Sequence, residues 1–216
     1  MRITSIHHGC FPQIGMLNHR FHPHARHLLV TLDVEGYAPP VTRDFLSMYH
    51  ALARVFPTLS RHQCCEQWEN TPLFLHEIEG VSLKTVGEIA DIAHLAEHLI
   101  VDLLVAISRV NVCSGITCGH RDPENRFDLF IECEDLRLGA FAANFAVYLV
   151  RHLFTRPRLS RRYVKVVEAA QWLYAHPNGA DPAGTICESL GYSPGLAQMV
   201  TIYLRVFQFF EKDLQP

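Results

Sequence analysis

The 216-residue chain has no glycine-rich phosphate loop, no repeat, no low-complexity tract and no surplus of positive charge. No uninterrupted apolar run is long enough for a membrane span, since Ile89 to Val110 is broken by Asp91, His94, Glu97, His98 and Asp102. The opening Met1-Arg-Ile-Thr-Ser-Ile-His-His turns polar too early for the apolar core of an export signal. A net charge of −3 gives the chain as a whole no electrostatic basis for binding nucleic acid or an anionic membrane, and neither partner is expected. Seven cysteines is an odd count, and without an export signal a disulfide framework is not expected. They are read as mostly buried thiols in a reducing, cytoplasmic setting.

What is present suits one domain, or one domain with a helical appendage. Hydrophobic residues make up 49% and charged residues 19%, enough for a sizeable core. Fourteen histidines are the oddity, six of them crowded at His7, His8, His19, His22, His24 and His27. Arg156, Arg158, Arg161, Arg162 and Lys165 form a local basic cluster, read as a solvated surface.

The spacing predicts strands over Ile3–His7 and His27–Val34, the second ending in a Gly-Pro turn cluster. A helix over Thr42–Phe56 follows, with Thr42 as its cap and Pro57 as its stop. Another strand is expected over Leu73–Ile78, and then a long, largely buried helix over Leu83–Arg109. Asn111–Asn125 reads as loop, Phe127–Cys133 as strand and Leu138–Phe154 as an apolar helix. Beyond it the pattern is helical only, over Arg161–Tyr174, Ala183–Leu190 and Pro194–Phe210. The fold class expected is α+β, a small mixed or antiparallel sheet packed on helices. Residues 1–155 form that domain and residues 156–216 an α-helical extension, which offers a surface for homo-oligomer formation.

The chemistry concentrates in His94-Leu-Ala-Glu97-His98, the H-x-x-E-H order of one group of zinc peptidases. Residues four apart share a helix face, so both imidazoles can reach one Zn2+ ion. Glu97 then hangs beside the ion, placed to act as general base in a hydrolysis. Asp91, His94, His98 and Asp102 extend this polar stripe along an otherwise apolar helix, and Asp102 is placed to orient His98. Such a stripe is costly to bury unless it faces water, a metal or a partner.

Several segments in order resemble the N-terminal domain of cyanophycin synthetases, enzymes that build a polymer of aspartate and arginine. They are Met1-Arg-Ile with Leu28-Leu-Val-Thr-Leu-Asp33, Leu59-Ser-Arg-His62-Gln-Cys64, and Phe74-Leu-His-Glu-Ile-Glu-Gly80. Ala93-His-Leu-Ala-Glu-His98-Leu-Ile-Val-Asp102 is similar to the family's metal-motif helix, and Ile131-Glu-Cys-Glu-Asp135 with Gly139 to its closing strand–turn–helix. The resemblance covers about residues 1–155 and implies a zinc-dependent hydrolytic site that cuts the polymer into primers. It departs at Pro72-Leu73-Phe74, where the family has Gly-Gly-Phe, at Cys118-Gly-His-Arg121, and in a longer gap between Gly80 and His94. Those loops would shape a substrate groove.

A catalytic zinc usually takes three protein ligands. Glu132, at the end of its strand, is the expected third, with Glu134, His62 and Glu168 as alternatives. His120 and Arg121 are candidates for polarising a carbonyl or holding an acidic group. The function expected is a zinc hydrolase of peptide-like amide bonds, with an aspartate–arginine polymer as candidate substrate. The alternatives are a non-catalytic binding or regulatory module that docks the polymer or a synthetase-like partner, and a structural subunit.

Overall fold

In the computed structural model, described for residues 1–17, 21–22, 24–34, 42–61, 63–64, 71–72, 88–110, 113–156, 158–177 and 181–210, strands and helices share one hydrophobic core. The strands β1 (Arg2–Gly9), β2 (His27–Asp33), β5 (Gly115–Gly119) and β6 (Arg126–Glu132) form an antiparallel sheet in the order β1-β2-β6-β5. A separate two-residue ladder pairs β3 (Gln63–Cys64) with β4 (Thr71–Pro72). The expected strand over Leu73–Ile78 and the expected helix start before Glu88 lie outside the described residues.

Alternation along β2 and β6 sorts the sheet into two faces. Leu28, Val30, Leu32, Phe127, Leu129 and Ile131 turn to one face and enter the main core. Leu29, Ile116 and Phe130 turn to the other, where a short helix α1 (Ile14–Leu17) and Phe11 and Phe21 cover them as a smaller cluster. At the far end of β2, buried Asp33 accepts from Arg126 Nε at 2.7 Å and from Arg2 at 3.2 Å.

Against the main face lie α2 (Thr42–Val55), followed by a 3-10 turn over Pro57–Arg61, then α3 (Glu88–Ser108) and α4 (Leu136–Thr155). From Ile92 to Leu104 every residue of α3 except His94 is buried, which is why its sequence reads apolar nearly all round. Asp135 caps α4 by accepting from the amides of Arg137 and Leu138. Gly139 permits the helix to lie close to the sheet, since a Cβ there would stand 2.9 Å from both Cys133 Sγ and a Leu28 methyl.

The helices α5 (Arg162–Ala175), α6 (Pro182–Leu190) and α7 (Pro194–Val206) complete the fold. Pro182 and Pro194 open α6 and α7 behind the caps Asp181 and Ser193. Val166, Ala169, Ala170, Ala197, Val200 and Leu204 join the same core as α3 and α4. The hydroxyl of Tyr148 on α4 meets those of Tyr163 and Tyr203 at 3.2 and 3.5 Å, tying α4, α5 and α7 together.

Three expectations change. Residues 115–119 form a strand where loop was expected, because β6 supplies the pairing that their sequence does not advertise. By length and composition α4 could cross a membrane, contrary to the reading that no segment could, but two thirds of its apolar window is buried inside the fold. Of the five cysteines whose side chains are described only Cys133 is buried; Cys10 is exposed and Cys113, Cys118 and Cys187 are half-buried.

Candidate metal centre

Helix α3 presents His94, Glu97 and His98 toward the β5 edge of the sheet. The two imidazoles, one turn apart, meet Nε2 to Nε2 at 3.0 Å, with ring centroids 4.6 Å apart. Glu97 Oε2 stands 3.6 Å from His94 Nε2 and accepts a hydrogen bond from the Thr117 hydroxyl at 3.1 Å. Thr117 lies on β5, so the carboxylate bridges helix and sheet. Gly115, two residues earlier on the same face, is what lets it fit: a Cβ there would come within 2.8 Å of Glu97 Cδ. The side chains of His94 and Glu97 are 21% and 5% exposed, and His98 is buried, so solvent reaches the group from the His94 side.

These three side chains could hold a metal ion. One donor atom from each lies within 4.8 Å of the others. Zn–N bonds of about 2.0–2.1 Å in a tetrahedron separate ligand atoms by roughly 3.3–3.4 Å. The 3.0 Å between the two imidazole nitrogens lies close to that value, and Glu97 Oε2, 3.6 Å from one of them, stands beside the pair. Two neutral imidazoles and one carboxylate also match the ligand chemistry of zinc and its neighbours. Buried Asp102 continues the stripe one turn on; Asp91 belongs to α3, but its side chain is outside the described residues.

Glu132 is not brought to this group. By register Ile131 pairs with Gly115 and Leu129 with Thr117, so those residues share the face that Glu97 meets, while Glu132 falls on the other face. Its carboxylate accepts from the Ser114 amide at 3.3 Å. It also lines a cavity of about 230 Å³ with Arg26, Ser108, Cys133 and Tyr174, at the C-terminal end of α3. The alternatives fare no better: Glu134 is exposed, Glu168 accepts from Lys165 and Tyr192 on the helical extension, and His62 is outside the described residues. His120 pairs with Asp128 at 2.9 Å, and Arg121 is exposed in the turn beyond it.

Cys113 and Cys133, near the start of β5 and the end of β6, are not poised as nucleophiles or soft ligands. Burial pushes the Cys113 thiol far up and that of Cys133 up to about 12. The residues that sequence reasoning missed are Gly115 and Thr117. Their signal, a glycine and a hydroxyl two apart, has meaning only once β5 is seen to face α3.

The profile of the cyanophycin synthase-like N-terminal domain matches residues 29–155. No curated protein matches the chain.

Proposed function

Because the chain belongs to the cyanophycin synthase-like N-terminal domain family, we propose that it is a zinc-dependent hydrolase of peptide-like amide bonds, acting on an aspartate–arginine polymer. The observation that carries this reading is a buried carboxylate, Glu97, fixed by Thr117 beside two facing imidazoles. His94 and His98 would hold the ion, which when bound supplies Lewis-acid chemistry and lowers the pKa of a water toward 7. Glu97 is the general base. Oε2, the oxygen nearest His94, takes a proton from the attacking water and later delivers it to the leaving amine nitrogen. The Thr117 hydroxyl stops the carboxylate from rotating away between those two transfers. Residues 1–155 form the catalytic domain and residues 156–216 its helical extension, in a reducing cytoplasm. Ile202 and Val206, exposed four residues apart on α7, are where self-association through the C-terminal helices would be sought.

Glu97→Gln tests the reading. It should abolish hydrolysis of an aspartate–arginine polymer and leave bound zinc unchanged. Surviving turnover would remove Glu97 as base, and loss of zinc would make it the third ligand instead. A second reading, a non-catalytic module docking the polymer or a synthetase-like partner, draws support from the depth of Glu97 and His98. It requires that the wild-type chain, loaded with zinc, bind the polymer without cutting it.

A further inference from the structure

Between Asp135 and Glu168 the sequence carries no acid at all, while Arg137, Arg151, Arg156, Arg158, Arg161, Arg162 and Lys165 give it seven cations. Subtracting those seven charges from a net −3 leaves −10 on the rest of the chain, so the charge is strongly polarised. The fold concentrates it further. Arg151 lies just before the last turn of α4, Arg162 opens α5, and Arg156, Arg158 and Arg161 occupy the connection between them. All five are exposed, and none makes an ion pair among the described residues. Lys165 and Glu168 pair with each other at 2.6 Å, so the one nearby acid is spent on the one nearby lysine. The first turn of α5 has no acidic residue and no side-chain cap from Arg161. Its partial positive end therefore adds to the same field.

We propose that this α4–α5 turn is a docking surface for an acidic polypeptide. Five unpaired guanidinium groups on one turn repel one another, and a counter-charged partner relieves that repulsion. Arginine binds carboxylates through two parallel N–H donors, a geometry lysine cannot supply, and every unpaired cation here is arginine. The net acidic charge on the rest of the chain disfavours such a partner there and favours docking at the turn. A single-stranded nucleic acid would need exposed rings for its bases to stack on. Among the described residues the patch has none: Tyr163 is buried, and no aromatic residue is among the exposed large hydrophobics. Apart from Arg151 these arginines follow the matched residues 29–155, and docking here involves no metal.

The test is fluorescence anisotropy with a labelled ten-residue aspartate peptide at low salt, with chelator present so that the outcome is independent of the metal centre. The peptide should bind, weaken steeply as salt rises, and lose at least tenfold affinity in the variant Arg156→Gln/Arg158→Gln/Arg161→Gln/Arg162→Gln. If that variant does not fold, Arg158→Gln and Arg161→Gln, made singly, should each weaken binding about threefold. An oligonucleotide of equal charge should bind more weakly than the peptide. Absent peptide binding, binding indifferent to these substitutions, or preference for the oligonucleotide would each overturn the proposal.

Discussion

His94 and His98 face each other Nε2 to Nε2 at 3.0 Å, one turn apart on a helix that is buried nearly all round. Such an approach puts two lone pairs in one place unless a proton or a cation lies between them. A cation that binds only this folded arrangement of the pair couples binding to folding. Zinc at a hundredfold excess over its Kd should stabilise the folded chain by about 2.7 kcal/mol. The variant His94→Ala/His98→Ala should show no such gain and retain no stoichiometric zinc. Calorimetric melts with and without chelator, beside metal analysis of the purified chain, check both.

Gly115 is required by Glu97 rather than by the backbone. Gly115→Ala should push the carboxylate out of its place and lower stability by about 1–3 kcal/mol, the usual cost of overpacking. Turnover should fall with it. Gly9→Ala is the control, because a Cβ at Gly9 meets nothing within 4 Å. Equal effects from the two substitutions, measured by urea melts, would separate Gly115 from the carboxylate.

His27 is fully buried beneath Phe21, and among the described residues neither ring nitrogen has a partner at hydrogen-bond geometry. Burial lowers its pKa from the ordinary 6.5, against opposing pulls from the Ala25 backbone and the charges of Glu132 and Glu134. The native state therefore binds this proton less tightly than the unfolded chain does, and unfolding takes a proton up. Stability should be full above 6.5 and decline as pH falls from there through the native value. His27→Phe should remove that decline and raise stability at pH 5.5 by about 1–2 kcal/mol, since no buried polar ring is left unpaired. Denaturant melts at pH 7.5 and 5.5 read the difference.

At the other end of β2, hydrogen bonds from Arg126, and then Arg2, hold the Asp33 carboxyl below its ordinary 3.8. Here the sign is that of a depressed acid: the stabilisation is present above 3.8 and is lost as pH falls through the native value. Asp33→Asn should cost about 2 kcal/mol at neutral pH, the scale of a hydrogen bond to a charged group. The gap between variant and wild type should close on acidification, which acid-titrated melts would follow.

The metal-motif helix was legible in the sequence because its information is local. His94, Glu97 and His98 lie within five residues, and helical spacing alone places them together. The strands with alternating apolar residues, β2 and β6, were legible for the same reason. Strand β5 was not, because Gly115 and Gly119 carry no strand preference and its order comes from pairing with β6. Glu132 was expected beside the motif and lies on the other face of β6 by a one-residue matter. Neighbours in a strand point to opposite faces, and no local signal tells which face meets the helix. Gly115 and Thr117, which hold Glu97 in place, could be found only after that pairing was known.

The shared core has a consequence for shortening the chain. A version cut after Thr155 would keep His94, Glu97, His98, Gly115 and Thr117 together with every residue of the family match. It would lose Gln171, which donates to the Ala106 carbonyl of α3 at 2.8 Å, and with it the apolar wall of Val166, Ala169, Ala170 and Leu173. The segment that holds His94, Glu97 and His98 is therefore smaller than the segment that buries their helix, and an expression fragment designed on the family boundary would expose the back of α3.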